Sequence, residues 1–238
     1  MRRVFSAAPC APGTSIVLDP EESHHVSRVL RLRTGDEVAV FDGSGGEWDA
    51  TIEAIEKSVV RLQVRDPRTG DSEPPIAIVV HQAIVRPERV EWVLQKGTEV
   101  GVSAFRLFAA ERSEADVPSP ARLERYERIV MEAAKQSGRR RVPTVSIGAI
   151  EAASPERRCF VLDTSSGGVA FATALARGAT REVGIAVGPE GGFSEAELER
   201  SAAQGWDAVS LGPRILRTET AGVVAAAIVL HAWGDLGR

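Results

Sequence analysis

The stretch that decides the fold reads VGIAVGPEGGFSEAELE (183–199), then WDAVSLGPRILRTETA (206–221), then an apolar run to Trp233. Two short apolar segments each end in a Gly-Pro turn, Gly188-Pro189 and Gly212-Pro213, and each turn leads into a helix. Ligands of α/β sheets bind outside the carboxyl ends of the strands. Two glycine-bearing strand ends lying side by side therefore make a backbone-lined pocket. The expected occupant is a small nucleotide-like ligand.

The first loop narrows that ligand. Gly188, Gly191 and Gly192 have no Cβ, so the backbone can take positive φ and approach a ligand closely. Ser194 and Glu197 have the spacing of a capping box for the next helix. The loop is neither the dinucleotide fingerprint G-x-G-x-x-G nor the phosphate loop G-x-x-x-x-G-K-[ST]. It carries an acid, Glu190, which repels phosphate. A ligand without phosphate, carrying positive charge, fits better. In the second loop, Leu211, Ile215 and Leu216 form an apolar slot for a flat ring. Arg214, Arg217, Thr218, Glu219 and Thr220 crowd polar groups at a helix start that needs only one cap. The helix beyond is apolar on all sides, which predicts burial on all sides. Its small residues suit close packing against another helix, that of a second subunit.

Working outward, 238 residues allow one large domain or two modest ones, and 43% hydrophobic content supports a core. The net charge of −4 excludes a protein that is basic throughout, but not a local basic face. Arg2-Arg3, then Arg28, Arg31 and Arg33, then Arg139-Arg140-Arg141 are such clusters. Cys10 and Cys159 fit neither a disulfide framework nor a metal spacing. No signal peptide is evident at the start, and the run Ala221–Leu230 is too short to span a bilayer. A reducing cytoplasm, no membrane and no metal are expected. Adjacent His24-His25 point in different directions on a helix, and His81 and His231 read as structural or surface residues. Asp163 ends a strand, where it either meets ligand or caps the turn Ser165-Ser166-Gly167-Gly168.

Residues 2–6 and 14–18 read as strands. Asp19-Pro20-Glu21-Glu22 starts a helix, with Asp19 capping and Glu22 completing a capping box. Strands at 37–41, 48–55 and 59–64 follow, as an antiparallel meander. The segment DPRTGDSEPP (66–75) is a linker by composition. The expected division is a small β-barrel over 1–70 and an α/β domain over 74–238. In the second, strands at 76–83, 104–110, 160–163 and 183–187 alternate with helices opened by Pro87, over 121–136, and to about 176. That alternation predicts a mainly parallel sheet with helices on both faces.

The paired loops GPEGGFSxxE and LGxRILRxETA resemble the RsmE type of ribosomal RNA methyltransferase, of the SPOUT superfamily. The resemblance extends to HHVSRVLR (24–31), KGTEVGV (96–102), ERS (111–113) and EAAKQSGRRRVP (132–143), so it covers both expected domains. It implies a PUA-like RNA-binding β-barrel, then a SPOUT domain with a C-terminal trefoil knot, working as a homodimer. It implies methylation of N3 of a uridine in 16S ribosomal RNA of the small subunit, with S-adenosylmethionine as cofactor. Cofactor contacts then fall to Leu162, Gly188, Pro189, Glu190, Gly191, Leu211, Gly212, Ile215, Leu216 and Thr218. Uridine N3 is protonated near neutral pH, so the site needs a base, positive charge on the uracil oxygens, or both. Arg217 is the candidate for the charge, and Glu219 for general base or orienter. Arg2, Arg3, Arg28, Arg31, Arg33, Arg112, Arg139, Arg140 and Arg141 would hold RNA. Rival expectations are a SPOUT enzyme acting on another RNA, such as transfer RNA, and a non-catalytic RNA-binding module. A nicotinamide-dependent redox enzyme is disfavoured by the missing fingerprint and by Glu190.

Overall fold

A computed structural model describes residues 2–57, 59–70, 72–164 and 168–237. Of the expected turn at 165–168, residues 165–167 lie outside the described residues. The chain separates into two units, Met1–Glu73 with Ala134–Val142, and Pro74–Ala133 with Pro143–Arg238. The first unit is thus not the contiguous 1–70 of the sequence reading. Segment 134–142, distant in sequence, belongs with it.

In the first unit, β1 (Arg2–Phe5), β2 (Ser15–Val17), β3 (Glu37–Phe41), β4 (Glu47–Glu56) and β5 (Val59–Pro67) pair in the order β1-β3-β4-β5-β2. The β1–β3 pair is parallel and the others are antiparallel. The sheet is therefore mixed, not a pure meander, and its edges are β1 and β2. On β5 the inward residues alternate, Val60, Leu62 and Val64 being buried, as a half-buried strand requires. They join Val4, Val26, Val38 and Ile52 in one core.

Helix α1 (Pro20–His24) widens into a π turn at His25–Val29. Asp19 caps it, its carboxylate accepting from the Glu22 amide at 2.8 Å. Glu22 does not complete a capping box. Its buried carboxylate instead accepts from the Phe5 amide (3.1 Å) and from Lys135 Nζ (2.6 Å). A salt bridge this far from solvent satisfies the acid better than a return to an exposed helix end.

The second unit holds a seven-stranded sheet in the order β10-β12-β9-β11-β6-β7-β8. Its strands are β6 (Ala77–Ala83), β7 (Ala104–Phe108), β8 (Thr144–Ile147), β9 (Arg157–Leu162), β10 (Val169–Ala170), β11 (Glu182–Val187) and β12 (Trp206–Ser210). Every described pairing is parallel. The helices are α2 (Pro87–Val100), α3 (Pro120–Ser137), α4 (Phe171–Leu175), α5 (Glu195–Ala203) and α6 (Thr218–Trp233). Short β8 and β10 were not evident in sequence. They are edge strands, too brief for a hydrophobic period to show.

The last two strands re-enter the sheet, β11 between β9 and β6 and β12 between β10 and β9. Helix α6 then packs one face, Thr218, Gly222, Ala225, Ala226, Val229 and Leu230, into the interior. At Gly222 an added Cβ would stand 3.1 Å from Val187 and 3.4 Å from Val80, so glycine sets how closely the helix meets the sheet. The expectation of burial on all sides does not hold within one chain: Val223, Val224, Ala227 and Ile228, on the other side, are half-buried. Among the described residues no helix is long and apolar enough to cross a membrane, and no group of His, Cys, Asp and Glu could hold a metal ion.

Candidate active site

Strand β9 lies between β11 and β12, with Leu162 in register with Val187 on one side and Val209 on the other. Three loops leave these strand ends together, and they surround a cavity of about 700 Å³. That volume lies within the range of small-molecule sites. Leu162, Gly188, Pro189, Glu190, Gly191, Leu211, Gly212, Ile215, Leu216 and Thr218 all line it, as does Arg217.

The first loop owes its shape to two glycines. A Cβ at Gly188 would come 3.1 Å from Phe193, so its absence lets the phenyl ring fold under the loop. Gly192 has φ +68°, and its amide closes a turn on the Pro189 carbonyl at 2.9 Å. The Ser194–Glu197 capping box then forms in full and opens α5. Arg112 buttresses this loop, donating to the carbonyls of Gly191 (2.8 Å) and Phe193 (3.2 Å). Sequence reading placed Arg112 on RNA. The structure engages its guanidinium with the loop.

The second loop turns at Gly212, with φ +117°. Ile215 is 83% exposed at the rim, an unusual place for a large apolar side chain, while Leu211 and Leu216 are half-buried. The loop ends at buried Thr218. Its hydroxyl donates to the Gly188 carbonyl (2.6 Å) and accepts from Gln82 Nε2 (2.9 Å), joining α6 to β11 and β6.

Four charged groups stand in series: Arg89, Glu190 and Arg217 line the cavity, and Glu219 lies between Arg89 and Arg217. Arg217, 78% exposed, has Nη1 4.0 Å from Glu219 Oε1. Glu219 Oε2 is buried without a hydrogen-bond partner, 3.9 Å from Arg89 Nε. Arg89 in turn hydrogen-bonds Glu190. Glu219, in the first turn of α6, suits the positive end of the helix dipole. Arg89 and Gln82 were missed in sequence. A signal for Arg89 existed: it is a cation in the first turn of α2, against the helix dipole, and such a placement calls for carboxylate partners.

The predicted arginines of the first unit divide into two groups. Arg139 is buried, its Nη2 2.7 Å from Glu73 Oε2. Glu73 Oε1 also accepts from the amides of Arg140 (2.8 Å) and Arg141 (2.9 Å). Arg3 donates to the carbonyls of Ala134, Lys135 and Arg139 and to Glu47. Arg140 donates to the carbonyls of Arg68 and Thr69. These three cations hold segment 134–142 in place rather than facing solvent. Arg2, Arg28, Arg31, Arg33 and Arg141 are exposed. Arg31 has φ +56°, costly for a residue with a Cβ, and such strain is commonly found at functional turns.

Residues 72–230 match the family model described as RNA methyltransferase domain, and residues 18–64 match RNA methyltransferase PUA domain. The ribosomal RNA small subunit methyltransferase E of Bacillus subtilis is 33% identical over 226 residues, 89% of this chain and 88% of that protein. The chain belongs to the ribosomal RNA small subunit methyltransferase E family. A second member, from Mycobacterium bovis, is 33% identical over 232 residues, 91% of this chain and 86% of its own. The crystal structure of the Neisseria gonorrhoeae member, bound to S-adenosyl methionine, superposes with a TM-score of 0.89 at 32% identity and covers 99% of both chains. The family likeness carries the mixed sheet of the first unit as a PUA-like domain and the parallel sheet of the second as the methyltransferase domain.

Proposed function

We propose that this protein methylates N3 of a uridine in 16S ribosomal RNA of the small subunit, using S-adenosylmethionine. The observation that carries the reading is the cavity outside β9, β11 and β12, lined by every residue expected to meet the cofactor. Its composition fits that group. Leucines and Ile215 flank a flat ring, backbone groups at Gly188, Gly191, Gly212 and Leu216 read polar edges, and the carboxylate of Glu190 favours a cation over a phosphate. When bound, the cofactor supplies a methyl group activated as a sulfonium.

The chain's own residues then solve the protonation problem. Arg217, free in reach at 78% exposure, offers fork-shaped donors to uracil oxygens as N3 loses its proton. Glu219 stands beside it as base or orienter. Positioning the base against the methyl donor contributes by itself, and the base must leave its stack to enter. Exposed Arg2, Arg28, Arg31, Arg33 and Arg141 form the proposed phosphate-holding set. The half-buried apolar side of α6 supports a homodimer, and the return of β11 and β12 between earlier strands supports a trefoil knot. Cytoplasmic work on small-subunit RNA follows from the same reading.

Mass mapping of ribosomal RNA from a strain lacking the gene tests the substrate. The expected result is loss of one N3-methyluridine in small-subunit RNA, restored by the purified protein. Survival of that mark refutes the assignment, and loss of a transfer-RNA mark instead redirects it. Titration calorimetry that detects no S-adenosylmethionine binding would leave a non-catalytic RNA-binding module.

A further inference from the structure

The groups called on above leave a cavity-lining cation, Arg89, without a role. Arg89 lines the cavity from α2, while the carboxylates beside it come from two other elements, Glu190 from the loop after β11 and Glu219 from α6. It hydrogen-bonds the first and stands 3.9 Å from the buried, otherwise unpartnered Oε2 of the second. A buried carboxylate oxygen without a donor is costly, and the guanidinium is the nearest compensating charge. Arg217 approaches the other oxygen of Glu219 from the solvent side. Glu219 is therefore flanked by one cation that is largely exposed and one that is only 25% exposed.

We propose that Arg89 is a positioning residue for methyl transfer: it fixes the Glu219 carboxylate beside the cavity and ties it to the glycine loop through Glu190. The division of labour follows from exposure. Arg217 is available to incoming RNA, whereas Arg89 is occupied by carboxylates and acts through them. This rests on the methyl-transfer reading above. A lysine at 89 would retain the charge but lose the fork that spans two carboxylates, so it serves as the partial-rescue variant.

The test uses Arg89→Met and Arg89→Lys in the full-length protein, each also combined with Glu219→Gln. Single-turnover methyl transfer to unmethylated small-subunit particles reads the rate, calorimetry reads S-adenosylmethionine affinity, and hydrogen exchange reads the amides of 190–193. Arg89→Met is expected to slow transfer by roughly 100-fold while changing cofactor affinity less than about fivefold, in the range for a lost positioned acid or base. Arg89→Lys recovers part of that rate. On the Glu219→Gln background, adding Arg89→Met costs no more than about threefold, because residues that act as a unit are not additive. The loop amides exchange faster in Arg89→Met. Multiplying losses in the double variant, a loss confined to cofactor affinity, or unchanged exchange overturns the proposal. If the unaltered protein binds cofactor and transfers no methyl to the particles, the functional reading fails. The exchange measurement then still decides whether Arg89 joins the two elements.

Discussion

Arg139 sits in a run of three arginines, which invites an RNA-binding reading, and the structure makes the opposite prediction. Its side chain is 4% exposed and paired with Glu73, itself 11% exposed, so solvent screens the pair little. Arg139→Met keeps much of the volume and removes the charge. Breaking a buried pair by deleting one partner costs about 3–5 kcal/mol, because the other charge is left behind. Here the low end applies. Glu73 keeps two backbone donors, the amides of Arg140 and Arg141, at 2.8 and 2.9 Å. A loss of about 3 kcal/mol corresponds to a fall in Tm of roughly 6–24 °C, the larger figure if the first unit melts alone. Calorimetric melting at low and high salt measures it, and the loss should persist at 1 M salt. An Arg139→Met protein with Tm within about 2 °C of the parent and selectively weakened RNA binding would refute this, since surface substitutions change stability by only about 0.5 kcal/mol.

Other outcomes follow from the same geometry. Gly191→Val should lose S-adenosylmethionine binding by about 100-fold or more with little change in Tm. A Cβ there would stand 3.4 Å from the nearest atoms, those of the Arg112 side chain, and the branched group fills the cavity. Arg28→Glu with Arg31→Glu should weaken RNA binding and flatten its salt dependence by about one to two released ions, while cofactor affinity stays unchanged. Buried His81 has its pKa pushed down to about 4 by burial and by the nearby Arg106. The unfolded chain therefore takes up a proton near pH 6.5 that the folded one refuses, and stability falls as pH drops from about 6.5 to 4, by about 3 kcal/mol. Denaturant titrations at pH 7 and pH 4.5 should show that slope, and His81→Leu should remove most of it. A variant that keeps the full slope would assign it to other groups.

How much could be read from the chain alone depended on whether a residue's role is local. The Gly-Pro turns after β11 and β12 and the Ser194–Glu197 box are local, and they located the cavity. Alternation of apolar strands with helices is also local, and it gave the parallel sheet. Arginine function is not local. Arg3, Arg139 and Arg140 look like their exposed neighbours until Glu47, Glu73 and the carbonyls of 134–139 are brought to them from far along the chain. Glu22 misled for the same reason: its spacing from Asp19 fits a capping box, but Lys135 lies within reach in three dimensions. Arg89 carries no periodic signal, and only its place in the first turn of α2 marks it. The uniform apolarity of α6 could not say which side meets its own sheet, since Val224 and Val229 are the same residue, yet one is half-buried and the other buried.

Segment 134–142 bears on how the chain is made. Arg3, Glu22 and Glu73 leave the ribosome well before the carbonyls, lysine and arginine that satisfy them. At about 5–20 residues per second, a nascent chain waits roughly 3–14 s between the emergence of Glu73 and that of Val142. During that interval the first unit holds acids and a guanidinium without their partners, so its completion is postponed rather than vectorial. A fragment ending near residue 73 should accordingly be a poor stand-in for the unit. Any hybrid protein that exchanges this unit must carry both pieces of chain with it.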